Sequence, residues 1–195
     1  MFFKCANHAP ADQAQGQTVS RNNKHFTVDI HCHIQVPEAD AMLKQLVPDD
    51  TGRKMIDTNP ITAEINAAQQ ETIWPKLTEP EIRLKDMDAQ GIDVQAISTS
   101  PFHYNYGYDA GFGRDTSRVV NDRIAEVVAT HPDRFVGLGT APLQDPEMAV
   151  IELDRCIDEL GFKGVEISTN VNGKDLTRAG AIRPLLCRLV RSSRS

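Results

Sequence analysis

The sequence predicts an α/β fold built on a parallel sheet of four strands. Three observations lead there. Short β-branched runs alternate with stretches of helical periodicity between residues 26 and 167, which is the pattern of βαβ units. The helical stretches carry their own signals, with Asp or Thr before them and Gly or Pro after. The 195 residues fall short of the roughly 200 to 250 that a closed barrel of eight βα units needs.

The elements follow in order. Phe26–Ile30 is an apolar run with a β-branched centre and reads as the first strand, ending in His31. Residues 34–77 read as irregular, because Pro37, Pro48, Pro60 and Pro75 interrupt any long helix. An insertion of that length covers a site or a partner. Thr78-Glu79-Pro80-Glu81 reads as a capping box, opening a helix that runs to about Gln90 and closes at Gly91. Val94–Ser98 is the second strand, and residues 99–113 form a Tyr/Gly-rich loop. Residues 116–130 form a helix with Val120, Ile124, Val127 and Val128 on one face, stopped by Pro132. Phe135–Gly139 is the third strand. Asp145 caps and Pro146 opens the next helix, whose inner face is Ala149, Leu153, Cys156, Ile157 and Leu160, and Gly161 ends it. Gly164–Ile167 is the fourth strand.

The two ends differ from this rhythm. Residues 1–24 are polar, rich in Gln, Asn and Ala, and read as a disordered leader; Met1–Phe3 is too brief for a secretory apolar core. Residues 177–195 carry Arg178, Arg183, Arg188, Arg191 and Arg194 and no Asp or Glu. They read as an aberrant Arg/Ser-rich tail, either solvated or the product of a frameshift near codon 177.

Composition narrows the partners. The net charge is −6 and no basic face stands out, which argues against nucleic acid. No run of 18 or more apolar residues suggests a membrane span. Cys5, Cys32, Cys156 and Cys187 are scattered without CxxC spacing, so neither a disulfide framework nor a structural zinc site is read, and a cytoplasmic location is the simplest.

The most informative segment is Asp29-Ile30-His31-Cys32-His33. Side chains at i and i+2 of a strand lie on one side, so His31 and His33 can reach one metal ion, for which neutral imidazoles suit Zn²⁺ and similar cations. The alternative is two surface histidines at a strand end. Asp29 would orient an imidazole from behind. His103, amid Phe102, Tyr104, Tyr106 and Tyr108, either lines a substrate pocket or packs within its own loop. Glu166 and Asn170 lie at the end of the fourth strand, Glu166 chiefly as structural support. His131 sits at a helix C-terminus, where the dipole favours it. Gly107, Gly111 and Gly113 do not form GxGxxG, so no phosphate cradle is read.

Taken together, Val28–His33, Arg83–Asp93, Asn121-Asp122, Pro132–Gly139, Pro142–Glu147, Glu159–Ile167 and Thr169–Leu176 resemble the amidohydrolase-related family of non-oxidative decarboxylases that act on 2-amino-3-carboxymuconate-6-semialdehyde and similar compounds. The resemblance spans roughly residues 27–176. It implies that the chain is the N-terminal half of a (β/α)₈ barrel, truncated after about strand four. It also implies a divalent metal, usually zinc, held by His31 and His33, with His103 and Asn170 as pocket residues for a small carboxylate substrate. Decarboxylation is the expected chemistry, with amide or lactone hydrolysis as the alternative. The full-length form is expected to be a homo-oligomer. The family's third metal histidine, acid/base histidine and metal aspartate have no counterpart here, so no catalytic residue is assigned, and the chain as it stands reads as an inactive fragment, a non-catalytic half-barrel. The carboxylate-binding Arg of the family's first long loop has only Arg53 as a candidate.

Overall fold

The computed structural model of the chain describes residues 25–46, 59–178, 180 and 183–187. The expected leader over 1–24, most of the Arg-rich tail and Arg53 lie outside the described residues.

Strands β1 (Val28–Ile34), β2 (Val94–Thr99), β3 (Phe135–Gly139) and β4 (Gly164–Val165) form one sheet in the order β1-β2-β3-β4, every pair parallel. Strands laid side by side in chain order, each followed by helix, are how a (β/α)₈ barrel is built up. β1 runs three residues past its expected end at His31, so His31 and His33 both lie within the strand. β4 is shorter than expected, though the Glu166 amide still donates to the Gly139 carbonyl at 2.8 Å.

The region read as irregular contains two helices, α1 (Pro37–Leu46) and α2 (Pro60–Thr78). Pro48 lies outside the described residues, and the other three prolines do not break them. Pro37 and Pro60 stand at the first helical positions, where an N–H has no partner to lose. Asn59 caps α2 by accepting from the Thr62 amide at 3.0 Å. Pro75 lies in the last turn, so little helix remains for it to disrupt.

α3 (Pro80–Gln90) begins where expected but without the capping box. Its N-cap is Glu79, which makes no side-chain cap bond, and the Thr78 hydroxyl instead donates back to the Trp74 carbonyl at 3.0 Å. Thr78 is already the last residue of α2 and is not available as a cap. Gly91 closes α3 with φ 71°, the left-handed geometry that a side chain resists.

α4 (Ala110–Thr130) starts six residues earlier than the periodicity suggests. Asp109 caps it, accepting from the amides of Gly111 and Phe112. α5 (Pro146–Asp154) is capped by Asp145, as expected, and runs into a π turn over Arg155–Glu159. A two-stranded hairpin follows, β5 (Asn170–Val171) with β6 (Lys174–Asp175), which the sequence reading leaves out.

The main core lies between one sheet face and the helices. It joins Cys32 and Ile34 of β1, Ile97 of β2 and Phe135 of β3 to Met87, Val120, Ile124 and Val127. A second cluster joins Tyr106, Leu143, Ala149, Leu153 and Val171, and includes Leu185 from the helical residues 183–187. One tail residue is therefore packed.

Candidate metal centre

The site is built on an irregularity in β1. Asp29 stands opposite Gln95 and Cys32 opposite Ile97, three steps on β1 against two on β2. The extra residue bulges and turns the strand locally. After it, alternation resumes. Cys32 and Ile34 enter the core, while His31 and His33 project together from the other face.

Their Nε2 atoms lie 3.1 Å apart. Two imidazole nitrogens sharing one ion at about 2.0–2.1 Å each would sit roughly 2.9–3.4 Å apart for angles between right and tetrahedral. The observed pair fits that requirement. The proton on His33 is also placed: Nδ1 lies 2.8 Å from the Thr99 carbonyl oxygen, 3.2 Å from Ser98 Oγ and 3.7 Å from Glu166 Oε1. A carbonyl can only accept, so Nδ1 carries a hydrogen and Nε2 is the ring atom turned toward a cation.

Glu166 reaches this cluster from the end of β4. The Tyr104 hydroxyl donates to its Oε1 at 3.0 Å, and the Tyr104 ring stacks on Tyr106 at 5.3 Å. Burial, together with the charge of Glu166, raises the phenol well above its ordinary value, so Tyr104 is a donor here. Cys32 lies between the two histidines in sequence, yet is not a ligand. It is buried on the opposite side, and burial beside Asp29 pushes its thiol up to about 12.

Asp29 does not orient an imidazole ring through a hydrogen bond, as the sequence suggests. Its carboxylate accepts from the His31 backbone amide at 3.2 Å and from Gln95 Nε2 at 3.3 Å. The bulge between Asp29 and Cys32 breaks the alternation that would align Asp29 with His31 and His33. Burial pushes the Asp29 carboxyl up, but hydrogen bonds from Cys32, His31 and Gln95 outweigh it and hold the group below its ordinary value.

His103 is 1% exposed. Its Nε2 lies 3.1 Å from Asp40 Oδ1 on α1, and its Nδ1 lies 3.2 Å from Thr99 Oγ1. It therefore stands one residue behind His33, linked through Thr99. Asn170 is exposed in the hairpin and accepts from the Gly173 amide at 3.3 Å. His131 pairs with Glu81 at 3.2 Å. Among the described residues no group of three or more His, Cys, Asp or Glu side chains gathers as a metal cage.

Several residues of the site escape the sequence reading: Arg83, Gln95, Ser98, Thr99 and Tyr104. One signal was present. Gln95, Ser98 and Thr99 put polar side chains into an otherwise apolar buried strand, where each must find a partner.

Comparison with known proteins follows the geometry. A family model described as Amidohydrolase matches residues 28–192. The 2-amino-3-carboxymuconate-6-semialdehyde decarboxylase of Dictyostelium discoideum is 41% identical over 98 residues, which is 50% of this chain and 27% of that protein. The gamma-resorcylate decarboxylase of a Polaromonas species is 37% identical over 100 residues, 49% of this chain and 31% of that protein. Among solved structures, 5-carboxyvanillate decarboxylase from Novosphingobium aromaticivorans superposes with a TM-score of 0.67 at 25% identity, over 86% of this chain and 49% of that one. It was solved with bound manganese and 3-methoxy-4-hydroxy-5-nitrobenzoic acid. The chain thus spans about half of that structure and less than a third of the two curated relatives.

Proposed function

The chain belongs to the amidohydrolase family, and from that premise we propose that it is the N-terminal part of a metal-dependent, non-oxidative decarboxylase. The substrate would be a small carboxylated aromatic or muconate-like compound. The observation that carries this reading is the convergence of His31 and His33 Nε2 at 3.1 Å, in a chain whose relatives are carboxy-lyases.

A divalent cation held by the two imidazoles would stabilise negative charge on an ionised substrate hydroxyl, the electron source for protonation of the carbon that loses CO₂. His33 is preset for its part, because Thr99 holds its Nδ1–H. Glu166, fixed by Tyr104, offers a carboxylate beside that imidazole for a hydroxyl or amine of the substrate. His103 would support the site through Thr99, and Asn170 would contribute from the hairpin that follows Glu166. The zinc expectation rests on imidazole chemistry, whereas the solved neighbour holds manganese, so both ions belong in the test. Cys32, Cys156 and Cys187 are free, which supports a reducing, cytoplasmic setting. No described helix is long and apolar enough to cross a membrane. Homo-oligomerisation is proposed for the full-length form alone.

Among the described residues the two imidazoles gather without a third ligand, a pair that binds a divalent ion weakly but does not complete a metal cage, so turnover by the chain alone is not expected. The test is a graft of residues 25–176 onto the C-terminal half of the 5-carboxyvanillate decarboxylase. With Mn²⁺ or Zn²⁺ it should release labelled CO₂ from carboxyl-labelled 5-carboxyvanillate, and His31→Ala or His33→Ala should abolish release. Acid release from an amide or lactone, without CO₂, would favour the hydrolase alternative.

A further inference from the structure

The β1 bulge interrupts the ladder between Asp29 and Cys32, where the His31 imidazole leaves the strand, and regular pairing resumes with His33 opposite Ser98. A relay of four side-chain hydrogen bonds spans the interruption. Arg83 Nη2, from α3, donates to the His33 carbonyl at 2.6 Å. Arg83 Nη1 donates to Gln95 Oε1 at 3.2 Å, and Gln95 Nε2 donates to Asp29 Oδ2 at 3.3 Å. Asp29 Oδ1 in turn accepts from the His31 amide at 3.2 Å. One guanidinium therefore reaches the backbone of His33 directly and that of His31 through two side chains.

We propose that Arg83 is a positioning residue for the paired imidazoles, holding the bulged 29–33 segment so that both Nε2 atoms converge. The role requires arginine. Only its planar fork presents two fixed donors to two acceptors in different directions, and a lysine could satisfy one of them at a time. Without the fork the bulge keeps its chain connection but loses its side-chain brace, and a displacement of about 1 Å is enough to spoil a constellation of this kind. The role rests on the reading of His31 and His33 as the metal pair.

The experiment titrates the whole chain with Mn²⁺ alone and with Zn²⁺ alone. Arg83→Met should bind each ion about 10- to 100-fold more weakly than wild type, the range for loss of an outer partner of a ligand. Arg83→Lys should recover part of the loss. On a His33→Ala background Arg83→Met should cost much less, because the residue it positions is gone. Arg155→Met removes another partly buried arginine, one that braces α4 against α5. It should lower the melting temperature and leave metal affinity intact, so a general loss of fold is separable from lost positioning. If Arg83→Met does not fold, Gln95→Leu cuts the same relay one bond further on and carries the same expectation. Wild-type affinity in Arg83→Met or Gln95→Leu overturns the proposal, as does an equal loss in Arg155→Met. A wild-type chain that binds neither ion overturns the metal reading and the positioning role together; a wild-type chain that binds while Arg83 proves indifferent overturns the positioning role alone.

Discussion

His33 and Thr99 lie on neighbouring strands, with the histidine Nδ1 2.8 Å from the threonine carbonyl oxygen. That contact fixes the tautomer. The ring donates at Nδ1, and its Nε2 faces the Nε2 of His31 at 3.1 Å. An acceptor on Nδ1 fixes the orientation of the ring and leaves Nε2 as the atom that meets a cation.

The first prediction concerns that pair. His31→Ala and His33→Ala should each weaken divalent-metal binding by more than the roughly 10- to 100-fold that loss of an outer partner causes. Calorimetric titration of the chain with Zn²⁺ or Mn²⁺ measures this. Equal affinities for wild type and both variants would show that the convergence does not serve metal binding.

The second prediction concerns two glycines of β3. A Cβ built on Gly137 would lie 2.4 Å from Phe162 Cδ1, and one on Gly139 would lie 2.6 Å from Cys156 Sγ. The aromatic ring and the thiol sit directly on the strand backbone. Gly137→Ala should therefore cost about 1–3 kcal/mol by overpacking, read as a lower urea midpoint. Pairing it with Phe162→Leu should cost less than the sum of the two single changes. Additive losses would mean that the ring is not what the new methyl meets.

The strands and the helices after β2 and β3 were legible because their apolar residues repeat with the right period, and α3 was legible from its Gly91 stop although its capping box is absent. Phe135–Gly139 matches its expected bounds, and α5 starts at the expected Asp145 cap. The histidine pair was legible for a similar reason, since His31 and His33 stay on one side of the strand although His31 lies in the bulge. What failed was read from single residues. Prolines read as breakers in the sequence, although Pro37 and Pro60 sit where a helix tolerates them. The first turns of α4 were hidden by Gly111 and Gly113; Gly113 packs so closely that a Cβ would meet Gln144 Nε2 at 2.1 Å. The role of Asp29 was missed because a bulge cannot be seen in a pattern of alternation. Arg83 was missed because its two partners lie on other elements, 12 and 50 positions away in the sequence.

The third prediction concerns the brace between α4 and α5. Glu152 is 1% exposed, accepts from Asn121 Nδ2 at 2.7 Å and pairs with Arg155 at 2.7 Å. Arg155 also binds Asp122 at 2.6 Å. Removing one member of a buried pair leaves the other polar groups without compensation, so Glu152→Ala should cost about 3–5 kcal/mol. Glu152→Gln keeps an acceptor for Asn121 and should cost less. Denaturant unfolding gives both numbers, and a loss in Glu152→Ala no larger than that of an exposed alanine substitution would remove the network from the account of stability.

The fourth prediction follows from the thiol next to that brace. Burial, and then the negative charge of Glu152, push Cys156 from 9.0 up to about 12. The folded state thus favours the protonated thiol more than the unfolded chain does. The sign follows from linkage: the stabilisation is complete below 9.0 and is lost as pH rises from there toward about 12. Wild-type chain should therefore lose stability above that lower bound, through Cys156 and also through Cys32, which burial raises likewise. Cys156→Ala should be less stable than wild type at neutral pH because it empties a filled core position. Its deficit should shrink as the solution becomes alkaline, since it lacks the titrating group. Urea midpoints of both proteins across that range test this, with iodoacetamide alkylation of native Cys156 as a direct readout of the thiolate. A deficit that stays constant into the alkaline range, or alkylation as fast as in denaturant, would mean that the thiol is not held in its protonated form by the fold.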